Sequence, residues 1–234
     1  MKAFVLAAGL GTRMGAITRT TPKCLLPVGS KPLLGRWLEG LARARVTHAL
    51  VNTHHLPEPV REYVASSRDP RLAVELVHEP VLLGSAGTLR ENRGFVAGES
   101  SFLVVYADNA STVELSALLR AHRPGAAATL GLFRVPDPQN KGIVEVDGHG
   151  TVIGFTEKPE RPMSDLAWAG MLVGTPALLD AIPEKTPCDL GHDVLPRLAG
   201  RSRGVEIEGY HRDVGTPESY RQACADLAAI ESAA

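Results

Sequence analysis

Short apolar runs of strand length alternate along this chain with stretches whose apolar residues recur at helical spacing. The first run is Ala3 to Ala8, closed by the loop Gly9-Leu10-Gly11. Ser30-Lys31-Pro32 then reads as a helix start, with Ser30 as N-cap and Pro32 in the first turn. Leu33, Leu34, Trp37, Leu38, Leu41 and Ala44 follow on one helical face and predict a single buried stripe. His48 to Asn52 reads as a buried strand, Pro57 to Ala65 as a helix and Leu72 to Val77 as a strand. A loop from Glu79 leads into a helix from Thr88 through Phe95. Phe102 to Ala107 is the most strand-like run of the chain and ends in Asp108-Asn109. A helix over Thr112 to His122 and a strand over Ala127 to Val135 come next. Ile143 to Asp147 and Thr151 to Phe155 form a hairpin across a Gly148–Gly150 turn. Helices are expected at Pro176 to Ile182 and Leu190 to Leu198. A last helix opens with Thr216 as N-cap, Pro217 at its first position and Glu218 in its first turn.

Strands alternating with helices through short connections predict an α/β fold: a Rossmann-like three-layer sandwich with a mostly parallel central sheet and a small antiparallel subregion. The whole of residues 1–234 is expected to form one domain. Ligands of such sheets bind beyond the carboxyl ends of the strands, which places the Gly9 loop at the site.

Composition narrows the function classes. Twenty-five basic and 26 acidic residues give a net charge of −1, which supports neither nucleic-acid binding nor attachment to a membrane surface. No apolar run is long enough to span a membrane, and the N-terminus lacks a signal-peptide pattern. The three cysteines, Cys24, Cys188 and Cys224, are far apart and lack metal-ligand spacing, which points to a reduced, cytoplasmic protein. The eight histidines form no ligand-like cluster, and no role is assigned to them.

The chemistry begins at the first loop. Gly9 and Gly11 allow a sharp turn and close approach of an anion to backbone N–H groups. Arg13 adds a planar fork of donors, and Lys23, set between Pro22 and Leu25-Leu26-Pro27, adds an ammonium. The dinucleotide fingerprint fails, because its sixth position is Met14, and the P-loop pattern is missing from this stretch. Gly84 and Gly87 bracket small residues, so that something can lie flat against that backbone. Asp108, where a central strand emerges, is a good place for a hard cation such as Mg²⁺, which takes one or two carboxylates plus substrate phosphate oxygens.

Taken together, Gly9-x-Gly11-Thr12-Arg13-Met14 and Thr21-Pro22-Lys23-x-Leu25-x-Pro27-Val28 resemble the signature of the sugar-1-phosphate nucleotidyltransferases. Leu83-Gly84-Ser85-Ala86-Gly87 resembles the base-recognition loop of that family, above all of its mannose- and heptose-1-phosphate guanylyltransferases. Phe155-Thr156-Glu157-Lys158-Pro159 resembles its Phe-x-Glu-Lys-Pro. Asp213-Val214-Gly215-Thr216-Pro217-Glu218-x-Tyr220 resembles its Asp-Ile-Gly-Thr-Pro-Glu-x-Tyr. The resemblance runs along nearly the whole chain, and no acyltransferase or hexapeptide-repeat domain like that of some relatives is expected. It implies that Leu6, Ala8, Gly9, Gly11, Thr12, Arg13, Lys23, Glu79, Gly84, Ser85, Ala86, Gly87 and Asp108 bind the nucleotide. An acidic group such as Glu79 suits the donor edge of guanine; a solvated loop carboxylate is the ordinary alternative.

The resemblance further implies that Asn109, Gly142, Glu157, Lys158 and Gly170 bind the sugar phosphate in the antiparallel subregion. Asp108 and Asp213 would carry Mg²⁺, and Arg13, Lys23 and Lys158 would act in catalysis. The implied reaction is attack of a sugar 1-phosphate on a nucleoside triphosphate, GTP in the leading reading, with loss of pyrophosphate. Five departures stand out. Ala16-Ile17-Thr18 replaces Pro-Leu-Thr, Cys24 replaces a proline, Ala107 replaces a glycine before Asp108, Lys141 replaces an aromatic residue before Gly142, and Trp168 replaces an asparagine that touches the sugar in relatives. The last leaves room for a heptose or carbasugar phosphate. Thymidylyl or uridylyl transfer is the alternative within the class, and the molybdopterin guanylyltransferases are a more distant one. A non-catalytic sugar-nucleotide sensor is the alternative outside it. The reading is compatible with a homodimer.

Overall fold

Among the described residues, thirteen strands and six α-helices follow one another. The strands are β1 (Lys2–Leu6), β2 (Pro27–Val28), β3 (Lys31–Pro32), β4 (His48–Thr53), β5 (Ala73–His78), β6 (Phe102–Tyr106), β7 (Asn109–Ser111), β8 (Ala128–Arg134), β9 (Gly142–Val146), β10 (Val152–Glu157), β11 (Leu166–Gly174), β12 (Ser202–Glu206) and β13 (His211–Asp213). The helices are α1 (Leu33–Arg43), α2 (Pro57–Ser66), α3 (Ser85–Glu91), α4 (Leu115–Ala121), α5 (Pro176–Asp180) and α6 (Pro217–Ser232). This computed structural model describes residues 1–233. The fold class is the expected Rossmann-like α/β arrangement, a mixed sheet with mostly parallel central strands flanked by helices.

The chain packs as two units, each built from three segments. The terminal unit comprises Ala3–Leu82, Val105–Val113 and the segment from Gly209 onward. Its strands run in the order β6, β1, β4, β5, with β4 and β5 parallel in register from His48↔Ala73 to Thr53↔His78. The predicted stripe of α1 is buried: Leu33, Leu34 and Leu41 are fully enclosed, with Trp37 and Leu38 nearly so. Each such side chain contributes about 2 kcal/mol by leaving water. The start of α1 differs from expectation. Pro32, not Ser30, precedes the first helical residue. Ser30 lies instead in the tight β2–β3 connection, where its N–H and hydroxyl donate to Glu231. The last helix begins as predicted, with the Thr216 hydroxyl accepting from Ser219 N–H.

The middle unit comprises Met1–Lys2, Leu83–Val104 and Glu114–Glu208. Here β10, β9, β11 and the first half of β6 lie in that order, and β8 joins β11 to the parallel strand β12. The hairpin β9–β10 is antiparallel, as expected of the smaller subregion, with Glu157 opposite Gly142. The predicted helix over Leu190 to Leu198 is a π-turn over Leu190–Val194 followed by a 3-10 turn over Leu195–Leu198. The helix expected over Thr112 to His122 is α4, which begins only at Leu115.

Candidate functional site

The terminal unit gathers four of the charged side chains picked out in the sequence. β6 ends the buried run Phe102 to Val105, and Ala107, fully buried, donates its N–H to Leu6 O. Asp108 therefore emerges where two neighbouring strands end. Its Oδ2 accepts from Lys23 Nζ at 2.6 Å, with Lys23 only 8% exposed and Asp108 38%. An ammonium buried this far needs a counter-charge, and Asp108 provides it. The chain then turns into β7, which pairs antiparallel with β13, and Asn109 faces Asp213 across the ladder. Val214 N–H donates to Asp108 O at 3.2 Å. Two acids far apart in sequence thus become backbone neighbours. Beyond Asp213, Gly215 is hemmed in: a Cβ there would lie 3.1 Å from Arg13 Nη2 and 3.2 Å from Asp213 Oδ1. Arg13, Lys23, Asp108 and Asp213 accordingly belong to one cluster. Cys24, beside Lys23, is a buried thiol whose pKa is pushed up to about 12 by burial, so it is an inert core group.

Thr12 and Arg13 begin a run of 3-10 turns, Thr12–Arg19, rather than an open loop. Gly11, at φ 64°, precedes it, and a Cβ there would meet Thr18 Cγ2 at 2.9 Å. Thr18 Oγ1 donates to Gly11 O at 2.9 Å, and His55 Nε2 lies 3.1 Å from Thr18 O. Among the described residues, its own chain neighbours apart, nothing lies within 4 Å of a Cβ added at Gly9. Leu6 and Ala8 lead into this loop from the end of β1.

Glu79 is not the solvated loop carboxylate that was the alternative to its base-binding role. It is 3% exposed, and its Oε1 accepts from Asn52 Nδ2 at 2.9 Å. Asn52 Oδ1 in turn accepts from Ala7 N–H at 2.7 Å. The ends of β1, β4 and β5 are thereby tied by one polar relay. Asn109, also buried, uses its carbonyl to accept from Trp37 Nε1 at 2.9 Å. Sequence reasoning missed Asn52, although a polar residue closing the apolar run Ala49-Leu50-Val51 is the available signal.

In the middle unit, what lies flat against the backbone of residues 84–87 is the chain's own Cys188. Ala86 and Gly87 N–H both donate to Cys188 O, at 3.0 and 3.1 Å, while Cys188 N–H donates to Leu83 O at 2.8 Å. Gly84, at φ 79°, has no room for a side chain: a Cβ would lie 2.3 Å from Cys188 O. Ser85 Oγ donates to Asp189 Oδ2 at 2.8 Å and accepts from Leu190 N–H at 2.7 Å. Asp189 is the second residue that sequence reasoning missed. It stands before the Leu190 helical pattern, as an N-cap should, and its Oδ1 accepts from Gly191 and His192 N–H.

The β9–β10 hairpin brings together Gly142, Glu157 and Lys158. A Cβ at Gly142 would lie 2.7 Å from both Glu157 Oε2 and Phe155 Cζ, and one at Gly191 would lie 2.7 Å from Glu157 Oε2. The Glu157 carboxylate thus fits between two glycines. Burial, then the nearby negative charge of Asp189, pushes its pKa up, against His192, Lys158 and Lys141. Lys158 holds a left-handed backbone, φ 50°, and donates its N–H to Lys141 O at 2.9 Å. Gly170, at φ 65°, supplies the irregularity between Trp168 and Leu172 in β11. Trp168 donates Nε1–H to Met171 O at 3.0 Å and meets Phe155 edge to face.

Among the described residues, no group of three or more His, Cys, Asp or Glu side chains is arranged to hold a metal ion, and no helix is long and apolar enough to cross a membrane.

Comparison with known proteins places this architecture. The chain is 32% identical over 230 residues to mannose-1-phosphate guanylyltransferase of Mycobacterium tuberculosis, covering 96% of this chain and 64% of that one. It is 36% identical over 225 residues to glucose-1-phosphate thymidylyltransferase of Streptomyces griseus, covering 92% and 62%. The chain spans a little under two thirds of these curated relatives. A crystal structure from Bacillus anthracis, designated a glucose-1-phosphate thymidylyltransferase and solved with sucrose, superposes with a TM-score of 0.85 at 26% identity, covering 97% of this chain and 95% of that one. The model of the family described as nucleotidyl transferase matches residues 2–230. From the glycine loop to the final helix, this chain belongs to the nucleotidyl transferase family.

Proposed function

We propose that this chain transfers a nucleoside monophosphate from a nucleoside triphosphate to a sugar-like 1-phosphate, releasing pyrophosphate. The observation that carries the reading is the cluster at the end of β6: Lys23 paired to Asp108, with Asp213 brought alongside by the β7–β13 ladder and Arg13 beside Asp213. The attacking phosphate is already an anion, so the chemistry asks for charge neutralisation and alignment rather than a general base. Arg13 and Lys23 stabilise the departing pyrophosphate in this reading, and Lys158 holds the attacking phosphate. Gly9 and Gly11 let the triphosphate approach the backbone. Gly142, Glu157 and Gly170, all in the middle unit, receive the sugar in this reading.

One or two carboxylates with substrate phosphate oxygens would suit Mg²⁺, so the two acids that the β7–β13 ladder makes backbone neighbours would be enough without a third. Asp108 and Asp213 are the residues that would hold it; when bound, it supplies neutralisation of phosphate charge. Trp168, with its N–H used by Met171 O, offers a ring where an asparagine would offer an amide. That supports an acceptor other than an ordinary hexose, such as a heptose or carbasugar phosphate.

GTP is the leading donor, on the strength of the resemblance of residues 83–87. Thymidylyl transfer is the second reading, supported by the 36% identity to the thymidylyltransferase. A grid of nucleoside triphosphates against sugar and cyclitol 1-phosphates, read by pyrophosphate release with and without Mg²⁺, tests all of this. Release with a GTP row and a matching acceptor column is the expected result. Nucleotide binding without release in any cell would overturn catalysis in favour of a sensor.

A further inference from the structure

We propose that Asp189 is a positioning residue that sets the loop of residues 83–87 and the Glu157 carboxylate together. The inference rests on the reading above in giving that loop to the nucleotide and Glu157 to the sugar. Every link lies in the middle unit. One oxygen of Asp189 accepts from Ser85 Oγ at 2.8 Å, and Ser85 Oγ accepts from Leu190 N–H at 2.7 Å. The other oxygen accepts from Gly191 N–H at 2.8 Å and His192 N–H at 3.1 Å. The Asp189 backbone is fixed in turn, its N–H donating to Asp193 Oδ2 at 2.8 Å. The preceding residue, Cys188, takes the Ala86 and Gly87 amides on its carbonyl.

The same carboxylate therefore holds the loop from one side and the π-turn from the other. That turn presents Gly191, whose backbone passes so close to Glu157 Oε2 that a Cβ would sit 2.7 Å away. Moving Asp189 would shift both. It also brings a negative charge towards Glu157, whose other charged neighbours are His192, Lys158 and Lys141. An aspartate has the reach for this: its two oxygens serve two elements while its own N–H is tethered, so little freedom remains to be lost when substrates arrive.

Two variants separate the two effects. Asp189→Asn keeps the shape and one acceptor but removes the charge; Asp189→Ala removes the links. Hydrogen exchange at the Ala86 and Gly87 amides is expected to speed up by about tenfold or more in Asp189→Ala and to change little in Asp189→Asn. The carboxyl ¹³C titration of Glu157 is expected to move to lower pH in Asp189→Asn, because a neighbouring like charge has gone. Should Asp189→Ala not fold, Ser85→Ala serves for the exchange arm, since it cuts the same link from the loop side. Unchanged exchange in Asp189→Ala and Ser85→Ala, or an unmoved Glu157 titration in Asp189→Asn, overturns the proposal. Neither readout needs turnover, so a wild type that releases no pyrophosphate sinks the proposed function while leaving this test intact. With turnover present, Asp189→Ala is expected to raise the KM for the sugar phosphate more than it lowers kcat.

Discussion

Replacing Asp108 by asparagine separates what this acid does for the fold from what it does for the reaction. Asparagine fills the same space and still offers Lys23 an oxygen. The Asp108 carbonyl goes on accepting from Val214 N–H, so the β7–β13 ladder has no reason to change. What is lost is the charge in the 2.6 Å contact with Lys23. Lys23 keeps its own charge, so its bond to the asparagine oxygen stays charge-assisted; what is lost is the ion-pair attraction, about 1 kcal/mol where one partner is open to water. Lys23 is nearly buried and will feel the missing counter-charge. Asp108, at 38% exposure, admits water, which keeps the cost well below that of a fully enclosed pair. For a chain of this size, about 1 kcal/mol lowers Tm by roughly 2–4 °C. Catalysis is a different matter. Removing one group that stabilises developing charge costs about 10²–10³ in kcat, or roughly 3–4 kcal/mol of barrier. The assay is pyrophosphate release on the best cell of the substrate grid, beside a thermal melt of the same preparation. The expected outcome is a small Tm change with a large loss of turnover. Turnover within about tenfold of wild type would refute the assignment of Asp108 to the reacting phosphates.

Three further outcomes follow from the geometry. Gly84→Ala should lower stability by about 2 kcal/mol or more, since it combines a left-handed backbone with a Cβ 2.3 Å from Cys188 O; an unchanged urea midpoint contradicts this. Thr216→Ala should cost about 1 kcal/mol by leaving Ser219 N–H at the start of α6 without its cap, and chemical denaturation would show a negligible loss if the cap were idle. Glu157→Gln tests pH linkage. Burial and Asp189 favour the protonated acid in the folded chain, so its raised pKa gives stability that is present below the ordinary value of 4.5 and lost as pH rises through the folded value. The variant lacks that loss, so its stability relative to wild type should increase with pH across this window; a pH-independent difference would count against the burial argument.

Several of the candidate side chains stand out as local signals in the order of residues. The strand-glycine-arginine opening, the acid closing the apolar run Phe102 to Ala107 and the Thr216-Pro217-Glu218 helix start are local signals. Each depends on backbone conformation and side-chain type over a few positions. The α1 stripe was equally plain, because one period decides which face is buried. The start of α1 was not. Ser30 has the side chain of a cap, yet Glu231, from the other end of the chain, takes its hydrogen bonds.

By itself, the sequence determined the α/β class, the strands that lead to the glycine loop and to Asp108, and the side chains suited to phosphate. Tertiary structure decided which of them meet. Only the pairing of β7 with β13 makes Asp108 and Asp213 neighbours, and neither short strand has a pattern that announces its partner. Only folding turns Glu79 inward onto Asn52 and lays Cys188 along the Gly84 loop. A hydrogen-bonding group can be satisfied by water or by any donor or acceptor the fold delivers. Residue type therefore fixes what it is able to bond, and the packed chain alone fixes what it does bond.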